Sequence, residues 1–262
     1  MRPYFFGGPG RQLFGVYSEP QATAVAHGVV LCYPMGHEYV NALRGYRQLA
    51  LQLARRGLHV LRFDYSGSGD SAGAGELADL SQWLEDIEVA IDDLMGRHDL
   101  GSVSLVGLRL GGTLATLVAS DRCDVRSLVV WEPVVRGDTY LAELRGRHRS
   151  FFATEAKEGR NAASRSGSSE IMGFPLSDAM CCDLERLDLR ELSRLPAPEV
   201  LAIGEGDEQL AMVERFRALC GHVAHRSIPG QQIWVRDLGA PRALVPQPVL
   251  DAITDWFVRA TP

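Results

Sequence analysis

Residues 102–107 (SVSLVG) pass without a spacer into Gly107-Leu108-Arg109-Leu110-Gly111-Gly112 and then into TLATLVAS, an apolar stretch of helical character. A strand that must become a helix within two or three residues has few backbone routes open to it. The central residue is forced into a strained conformation, and the positions two residues to either side must be small for the turn to close. Gly107 and Gly111 meet that demand around Arg109. A strand of continuous apolar character running into such a turn belongs in a sheet buried on both faces, which means a mainly parallel one.

The rest of the chain repeats the alternation. Residues 28–33 (GVVLCY), 58–63 (LHVLRF), 127–131 (SLVVW), 199–204 and 222–228 read as further core strands. Residues 41–56 carry Leu43, Tyr46, Leu49 and Leu53 on one helical face, with Gly57 as a stop signal. Asp79 is placed to cap a helix reaching about residue 95, and further helices are expected over 110–120 and 247–259. Two short pieces at 3–6 and 12–17 read as a hairpin. The expected class is therefore α/β, a mainly parallel sheet with helices on both faces. The rhythm breaks at 135–195, which holds a helical piece (138–149), the polar run EAKEGRNAASRSGSSE and a second helix near 177–187. An insertion after the fourth core strand lies over the carboxyl ends of the strands, where open α/β sheets bind ligands. The expected organisation is a core of residues 1–134 and 196–262 with a small helical cap, 135–195, in which 157–169 is expected to be mobile.

Composition removes several classes of function. The 262 residues carry a net charge of -6, against the basic face a nucleic-acid partner requires. No apolar run is long enough to span a membrane, and the first residues lack the pattern of a secretory signal. The five cysteines are odd in number and scattered, and the histidines lack ligand spacing, so neither a disulfide framework nor a metal site is expected; a reducing cytoplasm fits best. Lys157 is the one lysine among many arginines, which suggests a high-GC bacterial gene and leaves no phosphate-binding loop. No metal or organic cofactor is indicated. The expected partner is a small molecule, with a partner enzyme or a second copy left open.

The glycine-flanked turn resembles the nucleophile elbow of the α/β-hydrolase fold, with Arg109 where that fold places its nucleophile. A guanidinium has donors only and no accessible deprotonated state, so Arg109 is neither nucleophile nor base. At a helix N-terminus a cation also needs an anion nearby. Arg109 is accordingly expected to pair with a carboxylate or to hold an anionic ligand group, and Glu132, at the end of the next strand, is the nearest candidate. Asp207 stands where the fold usually carries its acid. The loop after the last strand, where the histidine usually lies, reads PGQQIWVR. His222 and His225 belong to the strand itself. The Ser-His-Asp mechanism is expected to be absent.

LFGVYSEP, VVLCYPMGHEYVNALRGYRQLA, VLRFDYSGSGDSAG, LVGLRLGGTLA, VVWEPVVRGDTYLAEL and IMGFPLSDAMCCDLERLDL together resemble the serine-aminopeptidase-like branch of the α/β-hydrolases. Within it the chain is most similar to the exosortase A system-associated hydrolases and hydrolase-like proteins of biosynthetic gene clusters, a branch that often carries G-L-R-L-G. The resemblance implies a small acyl- or carboxylate-bearing substrate in a biosynthetic pathway; fold alone does not establish the reaction.

His37 and Glu38 follow the first core strand, where the fold forms half of its oxyanion hole, and are candidates for proton transfer or, alternatively, for capping the next helix. Tyr39, Trp234, Tyr140, Trp131, Leu108 and Leu110 are candidate pocket walls. Ser71 matches G-x-S-x-G only as a string, and Cys32 is a nucleophile only if a base such as His37 adjoins it. Three readings of function stand: non-covalent acid/base and electrostatic catalysis through Arg109 with His37 or Glu38, a silent binding protein, and a hydrolase with a relocated nucleophile.

Overall fold

In the computed structural model, which describes residues 1–157, 170–219, 222–230, 232–235 and 245–260, the apolar runs build a single eight-stranded sheet. Strands β1 (Arg2–Phe6) and β2 (Leu13–Ser18) form the expected antiparallel hairpin. β3 (His27–Cys32), β4 (His59–Phe63), β5 (Ser102–Leu108) and β6 (Val125–Trp131) follow, and β9 (Glu199–Ile203) and β10 (His222–Arg226) complete the order β1-β2-β4-β3-β5-β6-β9-β10. Every pairing from β4 to β10 is parallel, while β2 meets β4 antiparallel. β3 lies between β4 and β5, and all six of its residues are buried, which explains its unbroken apolar run.

Helices cover both faces. α1 (Gly36–Arg55) packs against α7 (Gln247–Ala260), and α2 (Leu80–His98) packs against α3 (Leu110–Asp121). Asp79 caps α2 as the sequence suggests, its carboxylate accepting from the Gln82 amide. α6 (Asp207–Leu219) runs from β9 to β10.

One boundary differs in a way that matters. α1 starts at Gly36 rather than near residue 41, because Gly36 takes φ 55 and turns the chain directly from β3 into the helix. His37, Glu38 and Tyr39 therefore lie on the first turn of a helix and not in a loop.

Between β6 and β9 the chain forms α4 (Gly137–Lys157), a hairpin of β7 (Glu170–Ile171) and β8 (Phe174–Pro175), and α5 (Asp178–Glu185). α4 runs past the expected 138–149 through SFFATEAK, which contains neither glycine nor proline to stop it. The hairpin turns on Met172 (φ 52) and Gly173 (φ 87), a turn the sequence does not advertise. Gly137 lets α4 begin against α5, since a Cβ there would lie 1.8 Å from the Leu184 carbonyl oxygen. Residues 158–169, most of the stretch expected to be mobile, lie outside the described residues.

Candidate active site at the β5–α3 turn

Arg109 sits between β5 and α3 with φ 52 and ψ −126, a backbone state that costs a residue with a Cβ about 1–3 kcal/mol. The main chain holds it there. Its amide donates to the Trp131 carbonyl at 3.0 Å, and its carbonyl accepts from the Gly112 and Thr113 amides at 2.9 and 3.2 Å. The flanking glycines are steric requirements. A Cβ on Gly107 would meet the Gly111 carbonyl oxygen at 2.4 Å, and one on Gly111 would meet the Cys32 and Tyr33 carbonyl oxygens at 2.3 Å.

The side chain so presented is largely buried and enters a closed ring of charge. Arg109 Nε donates to Glu38 Oε1 at 3.2 Å, and Nη2 donates to Glu143 Oε2 at 2.6 Å. Arg147 completes the ring, its Nη1 lying 3.4 Å from Glu38 Oε1 and its Nη2 donating to Glu143 Oε1. Two cations and two anions thus alternate around four contacts. The Tyr140 hydroxyl donates to Glu38 Oε2 at 2.9 Å. Aromatic rings lie against the guanidinium, its carbon 5.2 Å from the centre of Tyr140 and 5.3 Å from that of Trp234. Three elements meet here: α1 supplies Glu38, the elbow Arg109, and α4 supplies Tyr140, Glu143 and Arg147 from one face at helical spacing.

Burial and charge pull in opposite directions. Burial pushes the Glu38 carboxyl above the ordinary carboxylate range, while Arg109, the Tyr140 hydrogen bond and Arg147 pull it back. For Arg109, burial works against the charge, but Glu38, Tyr140 and Glu143 outweigh it and hold the guanidinium more firmly protonated than usual. Burial also drives the Tyr140 hydroxyl well up, so it stays a proton donor to Glu38.

The expected residues divide between this cluster and other places. Glu38 and Trp234 touch Arg109. Glu132, expected as its nearest carboxylate partner, stays within electrostatic reach of Arg109 but bonds elsewhere: at φ 45 its amide donates to the Ile203 carbonyl, and its Oε1 accepts from the Glu205 amide at 3.2 Å. Glu38 and Glu143 take the role foreseen for it. Half-buried His37 has its Nδ1 3.2 Å from Asn41 Nδ2, on the first turns of α1. Tyr39 faces β4, donating to Asp64 Oδ1 at 2.8 Å. Leu108 and Leu110 are fully buried on either side of the elbow and belong to the core. Asp207 is exposed in the first turn of α6.

His222 stacks on Trp256, and His225 Nε2 lies 2.9 Å from the Gly204 carbonyl oxygen. The Ser71 hydroxyl donates to the Asp64 carbonyl and accepts from the Phe14 amide, a bridge between β2 and the end of β4. The Cys32 thiol is fully buried, and burial drives it far from the thiolate form.

Glu143 and Arg147 were not anticipated from sequence. The available signal was Tyr140, Glu143 and Arg147 spaced to share one side of a helix, but nothing local says which side faces the elbow.

Beside the ring, Glu38, Arg147, Leu144, Met172 and Phe174 border a cavity of about 20 Å³, room for one water. Phe174 also borders a second cavity of about 40 Å³, with Met35, Trp83 and Met180. Among the described residues, no His, Cys, Asp or Glu group is arranged to hold a metal ion. No helix among them is long and apolar enough to cross a membrane.

A mainly parallel sheet with helices on both faces and a glycine-flanked elbow after β5 defines an α/β-hydrolase fold. Residues 26–169 match the family described as serine aminopeptidase, S33, and the chain belongs to that family. Mitochondrial palmitoyl-protein thioesterase ABHD10 of Homo sapiens is 40% identical over 78 residues, which cover 29% of this chain and 24% of that protein. The chain therefore matches about a quarter of the length of that relative. Among solved structures, ferulic acid-bound Est1E from Butyrivibrio proteoclasticus has a TM-score of 0.64 at 14% identity, covering 98% of each chain. Mouse alpha/beta hydrolase domain-containing protein 10 has a TM-score of 0.59 at 17% identity, covering 99% of each. The proline iminopeptidase of Mycobacterium smegmatis has a TM-score of 0.64 at 14% identity, also over 99% of each. At these identities the likeness is one of fold.

Proposed function

We propose that the chain is a non-covalent enzyme of its family, in which Arg109 replaces the nucleophile and the Ser-His-Asp triad is absent. Its substrate is a small acyl- or carboxylate-bearing biosynthetic intermediate. Arg109 holds the carboxylate or polarises the carbonyl, and Glu38 moves the proton. The observation that carries this reading is the elbow itself: its central side chain is a guanidinium bonded to a buried carboxylate. A group without a lone pair or an accessible neutral form can hold charge but cannot attack a carbonyl. Glu38 suits proton transfer because it contacts Arg109 directly and burial raises its carboxyl above the ordinary range. Trp234, in the loop where the fold usually carries its histidine, lies against Arg109. The segment 135–195 acts as a cap, contributing Tyr140, Glu143 and Arg147 to the site.

The resemblance to the exosortase A system-associated branch supports a bacterial biosynthetic setting, and the free Cys32, Cys123, Cys181 and Cys182 support a cytoplasmic one. The hydrolytic activity named for ABHD10 supports acyl chemistry at the level of substrate class. The enclosed Cys32 thiol and the backbone-bonded Ser71 hydroxyl speak against a relocated nucleophile.

A second reading, a silent protein that binds an intermediate or a partner enzyme, is favoured by the closure of the charge ring, in which all four groups are already paired. One experiment separates the readings. The wild type is treated with fluorophosphonate and iodoacetamide probes, read by intact mass, and turnover of acyl-coenzyme A and activated-ester substrates is compared with Arg109→Ala. The proposal expects no site-specific fluorophosphonate adduct and turnover that falls at least 100-fold in the variant. Turnover unchanged by Arg109→Ala overturns it, and the absence of any turnover favours the silent binder.

A further inference from the structure

We infer that Glu143 is a built-in competitor for the site's own ligand, occupying a two-arginine carboxylate cradle that a substrate carboxylate enters by exchange. This rests on the reading of Arg109 as an anion-holding residue and adds which group fills the cradle and what class of molecule replaces it.

The two carboxylates of the ring are not equivalent. Glu38 is 2% exposed, stands on α1 in the core, and accepts from Arg109, Arg147 and the Tyr140 hydroxyl. Glu143 is 35% exposed, stands on the inserted helix α4, and is held by the two guanidiniums. One Glu143 oxygen takes Arg109 Nη2 at 2.6 Å and the other takes Arg147 Nη2, so a single carboxylate bridges both arginines. That is the arrangement a ligand carboxylate would need, since guanidinium edges match carboxylate geometry.

Charge makes the exchange one-for-one. The ring is neutral with Glu143 in place, and without it two guanidiniums face one carboxylate. An incoming monocarboxylate restores neutrality, whereas a neutral amide of the same shape does not. The neighbouring cavity of about 20 Å³ has room for one water only, so the remainder of the ligand extends outward from the part-exposed position of Glu143. The ligand class is a monocarboxylic acid.

The test uses full-length wild type, Glu143→Ala and Glu143→Gln with sodium butyrate, and butyramide as the neutral isostere, at constant ionic strength by calorimetry and thermal unfolding. Butyrate is expected to bind both variants at least ten-fold more tightly than wild type and to raise their Tm, while butyramide does neither. Adding Arg109→Ala to Glu143→Gln should abolish the gain. Should Glu143→Ala fail to fold, Glu143→Gln, which keeps the shape and removes the charge, still decides. Equal butyrate affinity in wild type and Glu143→Gln, or no binding to either, overturns the competitor role. That outcome leaves the proposed function standing if wild-type turnover still depends on Arg109; turnover independent of Arg109 removes the reading beneath both.

Discussion

Arg109 Nε and Glu38 Oε1 lie 3.2 Å apart although 71 residues separate them in sequence. The contact joins the strained turn after β5 to the first turn of the helix after β3, two elements that meet because β3 and β5 are neighbours in the sheet. Tyr140 and Arg147 then tie the same carboxylate to α4. A buried ion pair of this kind contributes little compared with well-packed apolar residues, yet removing one partner strands a buried charge.

Arg109→Ala should therefore be destabilised by about 3–5 kcal/mol, with Glu38 left short of its partner. The double variant Arg109→Met/Glu38→Leu should recover much of that loss. Urea unfolding of the two single variants and the double variant gives the coupling; additive losses would show that the pair does not act as a unit.

Restoring the usual nucleophile should not restore the usual chemistry. Arg109→Ser is expected to remain unlabelled by fluorophosphonate, because Trp234 stands where a histidine base would be needed and the nearby carboxylates, Glu38 and Glu143, are each bonded to Arg147. Intact mass after probe treatment reads the result directly, and a serine adduct would mean that another group, such as His37, activates the hydroxyl.

The elbow glycines should tolerate nothing larger. Gly111→Ala places a Cβ 2.3 Å from two backbone oxygens that cannot move aside, and a loss of at least about 4 kcal/mol is expected. Gly101→Ala, where nothing lies within 4 Å, should change stability by less than about 0.5 kcal/mol beyond its propensity effect. Thermal unfolding of the two variants makes the comparison.

His27 should make the fold sensitive to acid. Its ring nitrogens lie 2.7 and 2.8 Å from the Ser102 and Ser104 hydroxyls, and burial, with a smaller contribution from Arg126, lowers its pKa to about 4. The unfolded chain, with a histidine near pKa 6.5, then binds the proton more readily than the folded one. His27 stays neutral in the fold down to about pH 4, whereas the unfolded chain gains its proton below about 6.5, so stability is lost as pH falls through that window, by up to about 3 kcal/mol. Urea midpoints measured from pH 7 to pH 4 should fall less steeply in His27→Gln than in wild type.

Much of the architecture was legible because it is written in local patterns. The apolar runs of β3, β5 and β6 are buried on both faces, so their sequences need no alternation to reveal them. The elbow announced itself through Gly107 and Gly111, whose missing Cβ atoms are a covalent fact of the sequence. Asp79 signalled its helix by the chemistry of a cap. The start of α1 was misplaced because one glycine at positive φ replaced the capping signal, and the β7–β8 turn on Met172 and Gly173 was hidden for a similar reason.

The sequence alone determined that position 109 carries a permanent cation requiring an anion, since charge and strain both follow from residue type and spacing. The choice of anion was made only in three dimensions. Glu132 is closer along the chain, but after its own left-handed turn its carboxylate accepts from the Glu205 amide, while Glu38 and Glu143 arrive from helices 71 residues before and 34 residues after Arg109. Side-chain direction at a strand end depends on the backbone of the neighbouring strand, and the facing side of an inserted helix depends on what it packs against; neither is a local property of the chain.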